Sequence, residues 1–193
     1  MQDPIVFFDL ETGGVEPAQP NIQIAAVAVA GGEELGTFER KIRFEVAACN
    51  PEALRLNDYR EELWQNAVSE REAMADFAHF LGRYKSVQKL SKAGKPYKVA
   101  RGGGHNVARF DVDRIMAAGK AHDIFMPLDY QVLDTYQAAV WYFAANPPWP
   151  ENLKLPTLCK HFGIEAGPAH EALADVRASI AIGRRLVRIF QKE

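Results

Sequence analysis

A chain of 193 residues with 48 % hydrophobic and 25 % charged content suits one domain with a full hydrophobic core. Its net charge of −2 does not advertise a nucleic-acid binder, and no apolar run approaches the ~18 residues of a membrane span. Cys49 and Cys159 have neither zinc spacing nor a disulfide framework around them and read as packing residues.

Met1 to Pro4 lead straight into an apolar run, so no signal peptide is expected and the expected location is the cytoplasm. Residues 5–9 read as a buried strand, 22–30 (IQIAAVAVA) as a second, and Gly31-Gly32 as the hairpin turn into a third over 35–44. Short turns between them predict an antiparallel meander. Residues 51–66 read as short helices broken near Asn57-Asp58-Tyr59, and 69–84 as a helix that begins at Ser69. A basic loop follows, then a glycine-rich strand over 98–105 and a helix over 107–119. YQVLD (130–134) is a strand candidate and 135–145 a helix; 146–156 is a proline-rich loop, 156–162 a short helix and 171–190 the last helix. Strands that alternate with helices after a meander imply parallel additions to the same sheet, within a single domain over 1–193.

The charge is unevenly spread. Between Phe77 and Phe110 there is no acid, whereas Arg83, Lys85, Lys89, Lys92, Lys95, Lys98, Arg101 and Arg109 fall there, eight of the chain's 23 basic residues. Such a segment on an acidic body can track a phosphate backbone; a solvated lysine loop is the plainer reading.

Three short stretches carry the chemistry. In FFDLETGG, Asp9 and Glu11 are two apart on a strand and project from one face. They either hold a hard cation such as Mg²⁺ or Mn²⁺ with oxygen ligands, or Asp9 merely ends the strand and Glu11 is solvated in the turn. In GGGHNVARFD, His105 and Asn106 stand at a strand end, where sites usually form, and Asp111 lies in the following helix; Asp113, roughly 200° round that helix, reads as solvated. No Gly-Lys-Ser/Thr follows the glycines, which argues against a phosphate loop. In GPAHEALAD, His170 and Asp175 are five apart and converge only if His170 precedes the helix; Glu171 is a rival carboxylate. His79, His122 and His161 have no acidic partner at useful spacing.

In this order, FFDLETGG, HNVARFD and HEALAD resemble the three motifs of the DEDDh, or DnaQ-like, family of 3′→5′ exonucleases, which includes proofreading subunits of bacterial polymerases, ribonuclease T and oligoribonuclease. LNDYREELW, LPTLCKHFGI and ALADVRASIAI are similar to its connecting segments, so the resemblance spans nearly the whole chain. It departs from the family's usual pattern at Leu10 and in the three-glycine lead-in to His105.

The resemblance implies an RNase H-like α/β fold, a mixed five-stranded sheet flanked by helices. It implies two Mg²⁺ ions, replaceable by Mn²⁺, held by Asp9, Glu11, Asp111 and Asp175, with His170 as general base. Leu10, Thr12 and Gly13 would receive the terminal nucleotide, and His105, Asn106 and Phe110 are further substrate-binding candidates. The implied substrate is a single-stranded or frayed 3′ end, DNA before RNA. A polymerase or a second copy of the chain are the protein partners it brings into view; no membrane partner is expected. An RNA 3′-end exonuclease is the near alternative. FFDLET also superficially resembles the Asp-x-Asp-x-Thr signature of haloacid-dehalogenase-type phosphatases, but Glu stands at position 11 and no lysine followed by paired aspartates appears downstream.

Overall fold

Strand β1 (Ile5–Thr12) has two apolar faces. Val6, Phe8 and Leu10 point one way, Ile5 and Phe7 the other. Both faces must therefore be covered, and the computed structural model, which describes residues 2–165, 167 and 171–191, shows how. β1 pairs antiparallel with β2 (Asn21–Ala30), and β2 with β3 (Glu33–Lys41), through the turn at Gly31 and Gly32 whose φ values are 58° and 96°. That is the predicted meander. Gly31 and Gly32 are suited to it because a residue without Cβ adopts such φ at no steric cost.

On its other edge β1 pairs in parallel with β5 (Pro96–Gly104), which pairs in parallel with the two-residue β6 (Leu133–Asp134). Strands β3-β2-β1-β5-β6 lie side by side in a mixed sheet, as the sequence implies, but the sheet has six strands in all, one more than the expected five. One correction concerns the basic loop. Residues 85–90 form strand β4 (Lys85–Leu90), antiparallel to β5, so much of the basic segment is a hairpin rather than a loop. Its lysines obscured the pattern, and charged side chains are what an edge strand tolerates.

Helices α2 (Glu70–Arg83) and α3 (Asp111–Ala121) cover the Val6/Phe8/Leu10 face. Phe77 of α2 is fully buried there, its ring centroid 6.1 Å from that of Phe8 and 5.5 Å from that of Phe38. Helix α6 (Ala172–Phe190) covers the opposite face, laying Ala172, Val176 and Ile180 on Ile5, Phe7 and the alternate residues of β2. Behind α6 stand α4 (Thr135–Ala145) and α5 (Leu155–Phe162), packed through Phe143, Leu158 and Ile182. A short helix α1 (Pro51–Leu56) and a 3₁₀ turn (Glu61–Trp64) close the β3–α2 connection. Both cysteines are free, Cys159 buried and Cys49 half-buried. Among the described residues no helix is long and apolar enough to cross a membrane.

Several boundaries differ from the sequence expectation, β3 covering 33–41 rather than 35–44 and β5 starting at Pro96. β1 runs on to Thr12, α3 starts four residues later than expected and continues past Gly119, and the strand candidate 130–134 contracts to Leu133–Asp134. The α3 shift matters most, because it sets Asp111 as the first helical residue.

Candidate active site

The parity of β1 decides where its acids go. Asp9 and Glu11 continue the Ile5/Phe7 face, so they point towards α6. Asp175 stands in the first turn of α6, where the positive end of the helix favours a carboxylate. One carboxylate oxygen from each of Asp9, Glu11 and Asp175 can be chosen so that all three lie within 4.8 Å of one another.

Asp111 arrives from the far side of the strand. β1 pairs with β5 only as far as Phe7, so the amide of Leu10 is not used in that ladder. It donates instead to Asp111 Oδ1 at 2.8 Å. Asp111 is buried, whereas Asp113 is exposed, as its position round the helix predicts.

The electrostatics are those of crowded acids. Burial, and then the Asp175 charge, pushes Asp9 up to about 7. Burial, and then the Asp9 charge, pushes Glu11 up to about 9. Crowding of this kind favours a proton shared between Asp9 and Glu11. Burial and the Asp9 charge hold Asp111 well above the usual carboxylate range. Oxygen-only ligands that repel one another are the donor set for a hard divalent cation, which would replace the shared protons and let all the acids ionise. The residues therefore fit such an ion.

The remaining sequence candidates fall into two groups. Leu10 is a core side chain with its amide given to Asp111. The Thr12 hydroxyl donates to the Gly14 carbonyl at 2.8 Å, and its own carbonyl accepts from Asn57 Nδ2 at 3.1 Å. Gly13 donates to Pro20 and accepts from Asn50, and a Cβ there would meet Cys49 Sγ at 2.5 Å. This floor adjoins the acids, with the Leu10 and Gly13 amides already paired within the chain. His105 and Asn106 stand further out. The His105 ring lies between the Thr135 hydroxyl (2.9 Å) and the Leu153 carbonyl (3.0 Å), and burial pulls its pKa down. Asn106 takes the left-handed conformation at φ 63°. The Phe110 ring lies beneath the Arg114 guanidinium, 4.7 Å from it. His170 lies outside the described residues. Glu171 is the residue before α6, its carbonyl capping the first helical amides, and is exposed.

Two positioning residues went unseen in the sequence. Asp134 Oδ1 accepts the amides of Asn106 and Tyr136, and Oδ2 that of Ala108, so one carboxylate both caps α4 and fixes the turn before α3. The Asp-Thr pair at the helix start carried the capping signal; the bonds to residues 106 and 108 had none. Arg114 of α3 donates to the carbonyls of Gly14, Glu16 and Gln19, tying down the loop that follows β1. His122, for which no partner was expected, sits 3.0 Å from Glu70 across 52 residues. Between α6 and the 3₁₀ turn lies a cavity of about 670 Å³ whose walls include Gln23, the cross-strand partner of Glu11, with Trp64, Lys41, Arg60 and Arg177.

The three-glycine run has a steric cause. β5 passes so close to β1 that a Cβ on Gly104 would stand 2.7 Å from the Phe8 carbonyl oxygen and 2.3 Å from Val107. Glycine there admits the approach that carries the chain from β5 to Asp111.

Residues 97–182 match the family model described as Exonuclease (RNase_T). The matched stretch includes Asp111 and Asp175; Asp9 and Glu11 lie upstream of it. A DNA polymerase III PolC-type from Oceanobacillus iheyensis is 28 % identical over 199 aligned positions, covering all of this chain and 12 % of the polymerase. A solved exonuclease I superposes with a TM-score of 0.76 at 22 % identity, covering 97 % of this chain and 41 % of that one. Exonuclease I of E. coli in complex with a dT13 oligonucleotide gives 0.73 at 22 % identity, covering 99 % and 43 %. This chain thus spans less than half the length of each of these relatives. The fold is that of exonuclease I, and by motif order, family model and fold together the chain is similar to the DnaQ-like 3′→5′ exonucleases.

Proposed function

We propose that the chain is a metal-dependent 3′→5′ exonuclease acting as a single domain on single-stranded or frayed 3′ ends, with DNA preferred to RNA. The observation that carries this reading is the convergence of Asp9, Glu11 and Asp175 from two elements 160 residues apart, with Asp111 buried behind them. Such acids serve no purpose in packing, and the ionised forms of Asp9, Glu11 and Asp111 are less stable there than in water. The bound dT13 of the E. coli exonuclease I and the polymerase name of the O. iheyensis relative favour DNA.

Asp9, Glu11 and Asp175 would hold the divalent cation, and Asp111 would join them directly or through water. Bound there, Mg²⁺ would offset the negative charge that develops on the phosphodiester and its leaving oxygen. Asp111 orients the end of β1 through the Leu10 amide, so the carboxylates of Asp9 and Glu11 are presented by a fixed backbone. His170 would take the proton of the attacking water, as an imidazole general base does near neutral pH.

The test uses 5′-labelled single strands of DNA and of RNA with Mg²⁺. A ladder shortening from the 3′ end supports the reading, and the faster strand fixes the sugar preference. Release of the 5′ label as a mononucleotide, or no cleavage of either strand, overturns it.

A further inference from the structure

We propose that the β4–β5 hairpin and the aromatic side chains beside it form a second surface for single-stranded nucleic acid, remote from the acids. The inference rests on the nucleic-acid reading above but concerns different residues. Large aromatic side chains are normally buried or partnered. Here Tyr97, Phe125 and Tyr130 are 40 %, 66 % and 73 % exposed. They adjoin one another and the basic hairpin. The ring centroids of Tyr97 and Phe125 are 6.2 Å apart, Lys89 is the cross-strand partner of Tyr97, and the Lys89 ammonium lies 4.9 Å from the centroid of Tyr130.

The charge around these rings is positive. Asp129 is fully buried and pairs with both Lys89 and Arg101 at 2.8 Å, so one carboxylate anchors two cations and leaves an excess of positive charge. Lys92, Lys95 and Lys98 add to it and make no ion pair among the described residues. Exposed rings interleaved with cations are what a flexible strand uses, with bases stacking on the rings and phosphates meeting the lysines. An acidic protein would match the lysines but would leave the rings without a specific role.

The surface is separate from the acid cluster. Ile5 and Arg101 are neighbours across the parallel ladder; Asp9 lies four residues beyond Ile5 and Tyr97 four residues before Arg101. At ~3.3 Å per residue the two sites are about 26 Å apart along the strands. A strand held at both would have its 3′ end on the acids and its upstream part on the hairpin, with Arg101 between them.

The experiment measures binding, by fluorescence anisotropy with Mg²⁺, of labelled DNA strands of about 4 and about 20 nucleotides whose 3′-terminal linkages are phosphorothioate to slow cleavage. Wild type is compared with Phe125→Ala/Tyr130→Ala and with Lys92→Glu/Lys95→Glu/Lys98→Glu, all at exposed positions. The long strand should lose about tenfold or more in affinity in either variant, and the short strand should be unaffected. In the lysine variant the salt dependence for the long strand should fall by roughly one unit per lysine. Unchanged long-strand affinity in both variants overturns the proposal and leaves the patch to a protein partner; equal losses for both lengths overturn it as a remote site. Cleavage of an unmodified short strand by wild type checks the exonuclease reading separately.

Discussion

Asp111 and Leu10, 101 residues apart in sequence, are joined by a 2.8 Å hydrogen bond from the Leu10 amide to the Asp111 carboxylate. The bond makes Asp111 both an acid of the cluster and the clamp on the strand that carries the other two β1-linked acids. Asp111→Asn keeps an acceptor for Leu10, whereas Asp111→Ala leaves that amide buried without one. Both should lose cleavage, but only the alanine variant should lose stability, by about 1–3 kcal/mol. Paired urea titrations and cleavage assays separate the two roles.

Asp9→Asn should lower cleavage by on the order of a thousandfold, since it removes one charged oxygen ligand from the group of three. Without divalent cation the same variant should be more stable than wild type, because the carboxylate it removes is repelled by Asp175 and desolvated. A urea midpoint that falls in chelator would contradict the account of the cluster as strained acids.

The pH dependence has a definite sign. Asp9 and Glu11 are raised to about 7 and about 9 from ordinary values near 4, and Asp111 is raised as well. Between those limits the folded chain holds more protons than the unfolded chain, so stability falls as pH rises. In chelator the contribution of these groups should be fully present below about pH 4 and lost progressively up to about pH 9. Mg²⁺ binds the ionised acids and should raise the melting temperature most at the alkaline end. Melting curves at several pH values, with chelator and with Mg²⁺, read both effects.

Gly104→Ala would drive a methyl group to within 2.7 Å of the Phe8 carbonyl and 2.3 Å of Val107. The backbone cannot yield without moving β5 from β1, so a loss of about 1–3 kcal/mol or more is expected. Because β5 leads to Asp111, cleavage per folded molecule should fall too, which a thermal melt alongside an activity titration would detect.

The order of elements was legible because hydrophobic period is a local property. The short apolar run that begins at Ile5 marks β1 as a buried strand, and the capping Ser69 marks the start of α2. The β4 strand was not legible, since Lys85 and Lys89 made an edge strand look like a solvated loop. The roles of Asp134 and Arg114 were hidden for another reason. Their partners, Asn106 and Ala108 for the one and Gly14, Glu16 and Gln19 for the other, are backbone groups, and backbone groups leave no letter in the sequence.

The sequence by itself determined that Asp9 and Glu11 share a face, because the strand period is two, and the resemblance in motif order implied Asp111 and Asp175 as their companions. Only the tertiary structure decided that this face meets the first turn of α6, and that the pairing of β1 with β5 ends at Phe7 and leaves the Leu10 amide for Asp111. Those facts depend on how far one strand runs past its neighbour and on which helix covers which face. Both are settled by long-range packing, where the close approach at Gly104 and the burial of Ile5 and Phe7 under α6 act together.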